Sequence, residues 1–127
     1  MMKKHMLVAI VFLLTGCPGP GDRMVSRESA TAIIKDNHVC VVSPLQPQEY
    51  VTAIQINSSR GNGLHKIFDD GPISVEKGNC LPLFGYAFIP NERYSIAYDI
   101  KSSKRESHLV VAEFSTAQGA GGVIKIL

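Results

Sequence analysis

The sequence lacks the compact residue patterns that mark most catalytic and nucleotide-binding sites. No serine lies in a Gly-x-Ser-x-Gly motif, and the glycine-rich segment 119–122 is not followed by the Lys-Ser/Thr pair of a phosphate-binding loop. The acidic pair Asp69 and Asp70 does not continue into a calcium-binding loop. We therefore expect a protein that is not an enzyme and carries no cofactor, with a minor hydrolase as the enzymatic alternative.

Clustered metal ligands and an excess of charge are missing as well. His38, His65 and His108 lie on separate segments, without the short spacing that brings zinc ligands together, so we expect no metal site. The chain has 13 basic and 11 acidic side chains, and the basic excess comes entirely from Lys3 and Lys4. The balanced remainder gives no electrostatic reason to expect nucleic-acid binding.

The apolar run near the N-terminus is too short to span a membrane. It covers residues 6–14 after Lys3 and Lys4, whereas a helix needs about 20 apolar residues to cross the bilayer core. A basic start followed by a short apolar core is typical of a signal peptide, which we place at residues 1–16.

The residues at the end of this run, Leu14-Thr15-Gly16-Cys17, resemble the bacterial lipobox. The resemblance implies cleavage before Cys17 and acylation of this cysteine with diacylglyceryl and further fatty acid, such as palmitate. Two or more acyl chains hold a protein stably on a membrane, whereas one chain binds reversibly. The alternative is an ordinary cleaved signal peptide with a chance cysteine.

A segment rich in proline and glycine follows Cys17 and predicts a flexible tether over residues 17–28. A flexible chain of this kind keeps the following domain within roughly 20 Å of the lipid headgroups. We expect the protein to face the periplasm. Pro18 stands where an aspartate commonly retains lipoproteins in the inner membrane, which favours the outer membrane.

Two of the three cysteines remain after Cys17 is assigned to lipid. An even pair in an exported domain predicts a disulfide, here between Cys40 and Cys80. Two buried free thiols or a metal-binding pair are the alternatives.

Beyond the tether the hydrophobic pattern alternates with a period of two, which predicts an all-β domain over residues 29–127. Tyr94, Ile96, Tyr98 and Ile100 give the clearest core face. About seven short strands favour an immunoglobulin-like or fibronectin-like antiparallel β-sandwich over a closed barrel. The strands are predicted at 29–34, 37–43, 49–57, 81–89, 93–101, 107–116 and 123–127, with weaker segments at 65–68 and 73–75.

The segment 88–94 resembles the fibronectin type III entry to a late strand, where an apolar residue, a proline and a tyrosine mark a corner between sheets. The resemblance implies that Tyr94 packs inward and that its hydroxyl caps the backbone near the turn.

Two polar segments are the candidate partner-binding surfaces. The longest polar stretch contains Arg60 and His65, and a basic hairpin connection contains Lys101, Lys104 and Arg105. Arginine is a frequent anchor in protein interfaces, although both segments have solvated loops as their ordinary explanation.

The lipobox, the tether, the Val39-Cys40-Val41 strand and Gly78-Asn79-Cys80-Leu81-Pro82 together resemble the small enterobacterial lipoproteins assigned as type VI secretion immunity proteins of the periplasm. The resemblance implies stoichiometric binding of a cognate toxin and no catalytic residues. An accessory or structural lipoprotein of an envelope secretion or assembly complex is the alternative function.

Overall fold

The computed structural model describes residues 26–68 and 70–127, and its architecture there is all-β. The predicted signal peptide, Cys17 and the tether up to residue 25 lie outside the described residues. The first strand starts at Arg27, two residues before the expected start of the domain at residue 29. The strands are β1 (Arg27–Ser29), β2 (Ala32–Lys35), β3 (His38–Val41), β4 (Glu49–Ser58), β5 (Leu64–Ile67), β6 (Arg93–Ser102), β7 (His108–Gln118) and β8 (Ile124–Ile126), with a short 3-10 turn at Ala120–Gly122.

Six of these strands form one mixed sheet in the order β1-β7-β6-β4-β5, with β8 also paired to β7. The three long central strands are antiparallel. The outer edge of β7 is shared: β1 pairs in parallel along Leu109, Val110 and Val111, and β8 pairs antiparallel near the other end of the strand. The sheet therefore ends at β5 on one side and at two three-residue strands on the other.

The core face of the sheet follows the alternation predicted from the sequence. Tyr94, Ile96, Tyr98 and Ile100 of β6 are each at most 2% exposed, while the intervening residues are exposed or half-buried. Buried residues of β4 and β7 flank them and complete one hydrophobic cluster. Because side chains alternate between faces, the opposite face of the sheet carries mainly polar and small residues.

A β-bulge at Thr52 breaks the alternation in β4. Val51 lies opposite Ile100 and Ala53 opposite Asp99, so Thr52 is the extra residue. Uninterrupted alternation would have placed Thr52 on the core face with Ile54 and Ile56. The bulge instead brings Val51 into the core, where it is fully buried.

A second layer covers the core face. Strands β2 and β3 form a hairpin whose turn residues, Asp36 and Asn37, both have positive φ, as tight two-residue hairpins require. Val39 and Val41 of this hairpin pack into the hydrophobic cluster with Leu45 and Leu81.

The predicted disulfide is present. Cys40 of β3 is bonded to Cys80, with a Cα–Cα distance of 5.2 Å. The backbone around Cys80 also lies along β3: Val42 and Cys80 form a β-bridge, and the Leu81 amide donates to the Val41 carbonyl. The bond thus joins the hairpin to the irregular segment that leads to residue 90.

That irregular segment was predicted as a strand at 81–89, and this prediction is wrong. No strand forms there; instead Leu83 to Tyr86 make a tight turn in which the Tyr86 amide donates to the Leu83 carbonyl. Its central residues, Phe84 and Gly85, both have positive φ. Gly85 within the segment and Pro82 and Pro90 near its ends disfavour a regular strand.

The predicted role of Tyr94 agrees with its observed contacts. The Tyr94 ring packs at the start of β6 beside Phe88 and Phe114, and its hydroxyl accepts a hydrogen bond of 2.9 Å from the Ile89 amide. The irregular segment is therefore fastened to the sheet at the corner that precedes β6.

We expect Tyr94→Phe to lower the free energy of unfolding by about 1 kcal/mol, because the Ile89 amide loses its acceptor while the ring still packs. Urea denaturation measures the change. Tyr50→Phe is the control, since Tyr50 is 38% exposed and should tolerate loss of its hydroxyl. Equal effects of the two substitutions would contradict the assigned role of the Tyr94 hydroxyl.

Candidate functional site

Strand β5 forms a free edge of the large sheet. It pairs with β4 from Leu64 opposite Ile56 to Ile67 opposite Ala53. The Phe68 amide donates to Thr52 on β4, and successive residues of a strand direct their backbone groups to opposite edges. The N–H and C=O groups of His65 and Ile67 consequently face away from β4, and no other strand of the described residues pairs with them.

The turn at residues 83–86 places an exposed aromatic ring beside this edge. Phe84 is 43% exposed and has φ of 53°, in the left-handed region that non-glycine residues rarely occupy. Its ring packs edge-on against Phe68, 5.1 Å between centroids, and the Lys66 ammonium lies 4.4 Å from its centre. The turn itself is fastened by the Tyr86 hydroxyl, which donates to the Asn62 carbonyl.

Ile67 adds a second exposed apolar group, with 62% of its surface accessible. Since side chains alternate along a strand, Ile67 and His65 lie on one face of the sheet and Lys66 lies on the other, with Phe84. We call His65, Lys66, Ile67 and Phe84 together the β5 surface. It combines unpaired backbone groups, two exposed apolar side chains and one cation, which are the elements of a strand-pairing interface.

Arg60, a predicted partner-binding residue, is held by a buried carboxylate. Its Nε donates to Glu92 Oε1 at 2.5 Å, and the Glu92 side chain is only 3% exposed. The hydroxyls of Ser58 and Ser59 donate to the other carboxylate oxygen. The hydrogen bond from Ser59, with further contributions from Ser58 and Arg60, lowers the pKa of Glu92. Arg60 therefore helps to neutralise an internal acid, although its side chain is 62% exposed.

Arg105 is likewise part of an internal ion cluster. Its Nε donates to Glu49 Oε2 at 2.7 Å, and Nη2 lies 3.0 Å from both Glu49 Oε1 and Glu28. The Glu49 side chain is 2% exposed and also accepts from the Gln46 amide. His108 is buried at the same place, with Nε2 3.4 Å from Glu28.

Hydrogen bonding within this cluster shifts the pKa values of Glu49 and Arg105. The bond from Arg105 is the main cause that lowers the pKa of Glu49 to about 2, against the opposing effect of burial. The same bond raises the pKa of Arg105 further above its ordinary value. The cluster links the loop after β6, strand β4 and strand β1, so Arg105 connects three segments of the fold.

The structure does not gather the five predicted partner-binding residues into one site. Ser58 pairs with Tyr94 and Glu49 pairs with Ser102, so the loop with Arg60 and the hairpin with Lys101, Lys104 and Arg105 lie at opposite ends of the sheet, roughly 30 Å apart. Lys101 and Lys104 are exposed. Of the five, His65 alone belongs to the β5 surface.

A groove of about 480 Å³ lies between the β2–β3 hairpin, residues 83–88 and the start of β8. Its lining includes His38, Tyr86, Phe88 and Ile124. No group of three or more His, Cys, Asp or Glu side chains in residues 26–68 and 70–127 is placed to hold a metal ion. No helix in the same ranges is long and apolar enough for a membrane span.

A family model described as a domain of unknown function matches residues 27–119, from β1 to just beyond β7. No curated protein and no solved structure matches the chain.

Proposed function

The chain belongs to the DUF7480 family of unknown function, and we propose that it is a lipid-anchored envelope protein that acts by binding another protein. The observation that carries this proposal is the β5 surface, where an unpaired strand edge lies beside a solvent-exposed Phe84. Large exposed apolar side chains next to an open edge invite aggregation unless a partner covers them.

The backbone of Phe84 supports the same conclusion. A bulky residue with positive φ costs on the order of 1–2 kcal/mol, and such conformations concentrate at functional sites. In this conformation the Phe84 ring contacts Phe68 and Lys66 on one side, yet 43% of the residue remains exposed beside the β5 edge.

Anchoring is supported by the Leu14-Thr15-Gly16-Cys17 motif. We propose lipidation of Cys17 and attachment to the periplasmic face of the outer membrane, with Pro18 to residue 25 as a short spacer. The domain would then meet its partner close to a membrane.

We further propose that the two layers form an immunoglobulin-like or fibronectin-like β-sandwich. The packing of the hairpin against the large sheet supports this proposal, as does the hydrogen bond between the Tyr94 hydroxyl and the Ile89 amide. Under this proposal β2 and β3 belong to the second sheet.

The proposed partner is a toxin delivered into the periplasm by type VI secretion, which the protein would neutralise by stoichiometric binding. The proposal is supported by the resemblance of the cysteine segments and the lipobox to immunity lipoproteins, and by a binding surface that needs no catalytic group.

The test is a growth competition between a deletion strain and toxin-bearing kin, with the strain complemented by variants. Wild type and Leu127→Asn, which removes another exposed apolar side chain, should protect. Phe84→Asn should lose protection, because asparagine accepts positive φ but lacks the ring. Cys17→Ser should protect poorly, because it removes the residue that is proposed to carry the lipid.

Survival of the uncomplemented deletion strain would contradict the immunity role. Recovery of a large, permanent envelope complex by crosslinking to Phe84 would favour the accessory-subunit role instead. Full protection by Phe84→Asn would show that the β5 surface is not the binding site.

A further inference from the structure

We infer that the β5 surface accepts an extended acidic segment of the partner, which adds to the large sheet as a strand next to β5. The inference rests on the proposed function insofar as both require a protein partner. It goes further because it specifies the conformation and the charge of the segment that is bound.

The backbone of β5 is suited to strand addition. The register with β4 is continuous over Leu64–Ile67, and the strand contains neither a proline nor a bulge that would distort its outer edge. The N–H and C=O groups of His65 and Ile67 face outward. An extended segment beside β5 can therefore pair with two donors and two acceptors of this strand.

The positive charge of Lys66 favours an acidic partner segment. Lys66 lies at the centre of the edge, and among the described residues it makes no ion pair. Its ammonium is held over the Phe84 ring, 4.4 Å from the centroid, so it stays near the edge. A carboxylate on the incoming strand, on the face that Lys66 occupies, would meet this cation directly.

A second copy of the chain is a poor occupant for the same reason. Pairing of two β5 edges with Lys66 of one copy opposite Lys66 of the other would place like charges on facing strands, which destabilises a sheet. Lysine on an edge strand is a known device against self-association. The β5 edge therefore disfavours pairing with a second copy of the chain and favours an acidic partner.

The opposite face of the edge adds an apolar requirement. Ile67 is 62% exposed and points to the face that Lys66 does not occupy. Because side chains of the incoming strand alternate in the same way, its carboxylates and its apolar side chains should alternate. The expected segment is a strand of about six residues in which acidic and apolar residues alternate.

The test selects binders from a random peptide library on the full mature protein in detergent micelles. Selected peptides should be acidic at alternate positions, and saturating peptide should protect the His65 and Ile67 amides from hydrogen exchange. Lys66→Glu should weaken binding about tenfold, while Lys125→Glu on the distant strand β8 should not. Ile67→Pro should abolish binding, since it removes an outward N–H and spares the pairing with β4.

Several results would overturn the inference: no peptide selected, peptides without acidic bias, binding unchanged in Lys66→Glu and Ile67→Pro, or concentration-dependent dimers that Ile67→Pro dissociates. Because amide spectra of each variant report its fold, loss of binding through unfolding would be recognised. A failed selection with intact Phe84-dependent protection would reject strand addition and leave the proposed function standing.

Discussion

Replacement of both Cys40 and Cys80 by alanine is expected to lower the free energy of unfolding by about 4 kcal/mol. The disulfide closes a loop with a sequence separation of 40 residues, and the chain-entropy relation assigns a loop of this length a denatured-state penalty of that size. In a domain of about 100 residues the change corresponds to a fall in Tm of roughly 20 °C.

Urea denaturation with and without reductant measures this effect. Reductant should destabilise the wild type to the level of the double variant and should leave the double variant unchanged. A difference below about 1 kcal/mol between oxidised and reduced wild type would show that the hairpin and the segment at 78–81 stay together without the bond.

Arg105→Ala is expected to destabilise the domain by about 2–3 kcal/mol at neutral pH. Removal of the guanidinium leaves the Glu49 carboxylate, 2% exposed, without its cation, and an unpaired buried charge is costly. The figure is below the cost for a fully buried pair because Arg105 is 40% exposed to water. Lys104→Ala in the same loop is the matched control and should change stability little. Similar effects for both substitutions would contradict the role of the cluster.

The same ion pair predicts a dependence of stability on pH. The pKa of Glu49 falls from 4.5 to about 2 in the folded protein, mainly because Arg105 donates to its carboxylate. The stabilisation is therefore complete above pH 4.5 and is lost as the pH falls towards 2. In Arg105→Ala the free energy of unfolding should depend less on pH between pH 4.5 and pH 2 than in the wild type. Denaturation curves at several pH values measure this difference.

The sequence predicted those parts of the fold that depend on alternating apolar and polar residues or on residues that favour turns. Strands β4, β6 and β7 lie close to their predicted bounds because each buries one face of a long segment. The disulfide was predictable because two cysteines remained to pair. The segment 81–89 was mispredicted because its apolar residues alternate as in a strand, whereas Gly85 and the flanking prolines determine its backbone.

The candidate site was harder to predict because it depends on strand order and on contacts distant in sequence. Nothing near Leu64–Ile67 indicates that β5 lies at an edge, since β4 pairs on its other side with a strand much later in the chain. Glu49 and Arg105 are 56 residues apart and meet only through that pairing. Arg105 was therefore assigned to an exposed loop surface, although its side chain connects three segments.

The position of β1 determines where the proposed lipid anchor would join the domain. Strand β1 lies beside β7, and β5 lies at the far side of β6 and β4, so about 19 Å of sheet separates the two borders. If a lipid were attached through the residues that precede β1, as proposed above, the chain would enter the domain at the β1 border of the sheet. The β5 border would then lie on the side opposite the attachment, where large molecules could approach it.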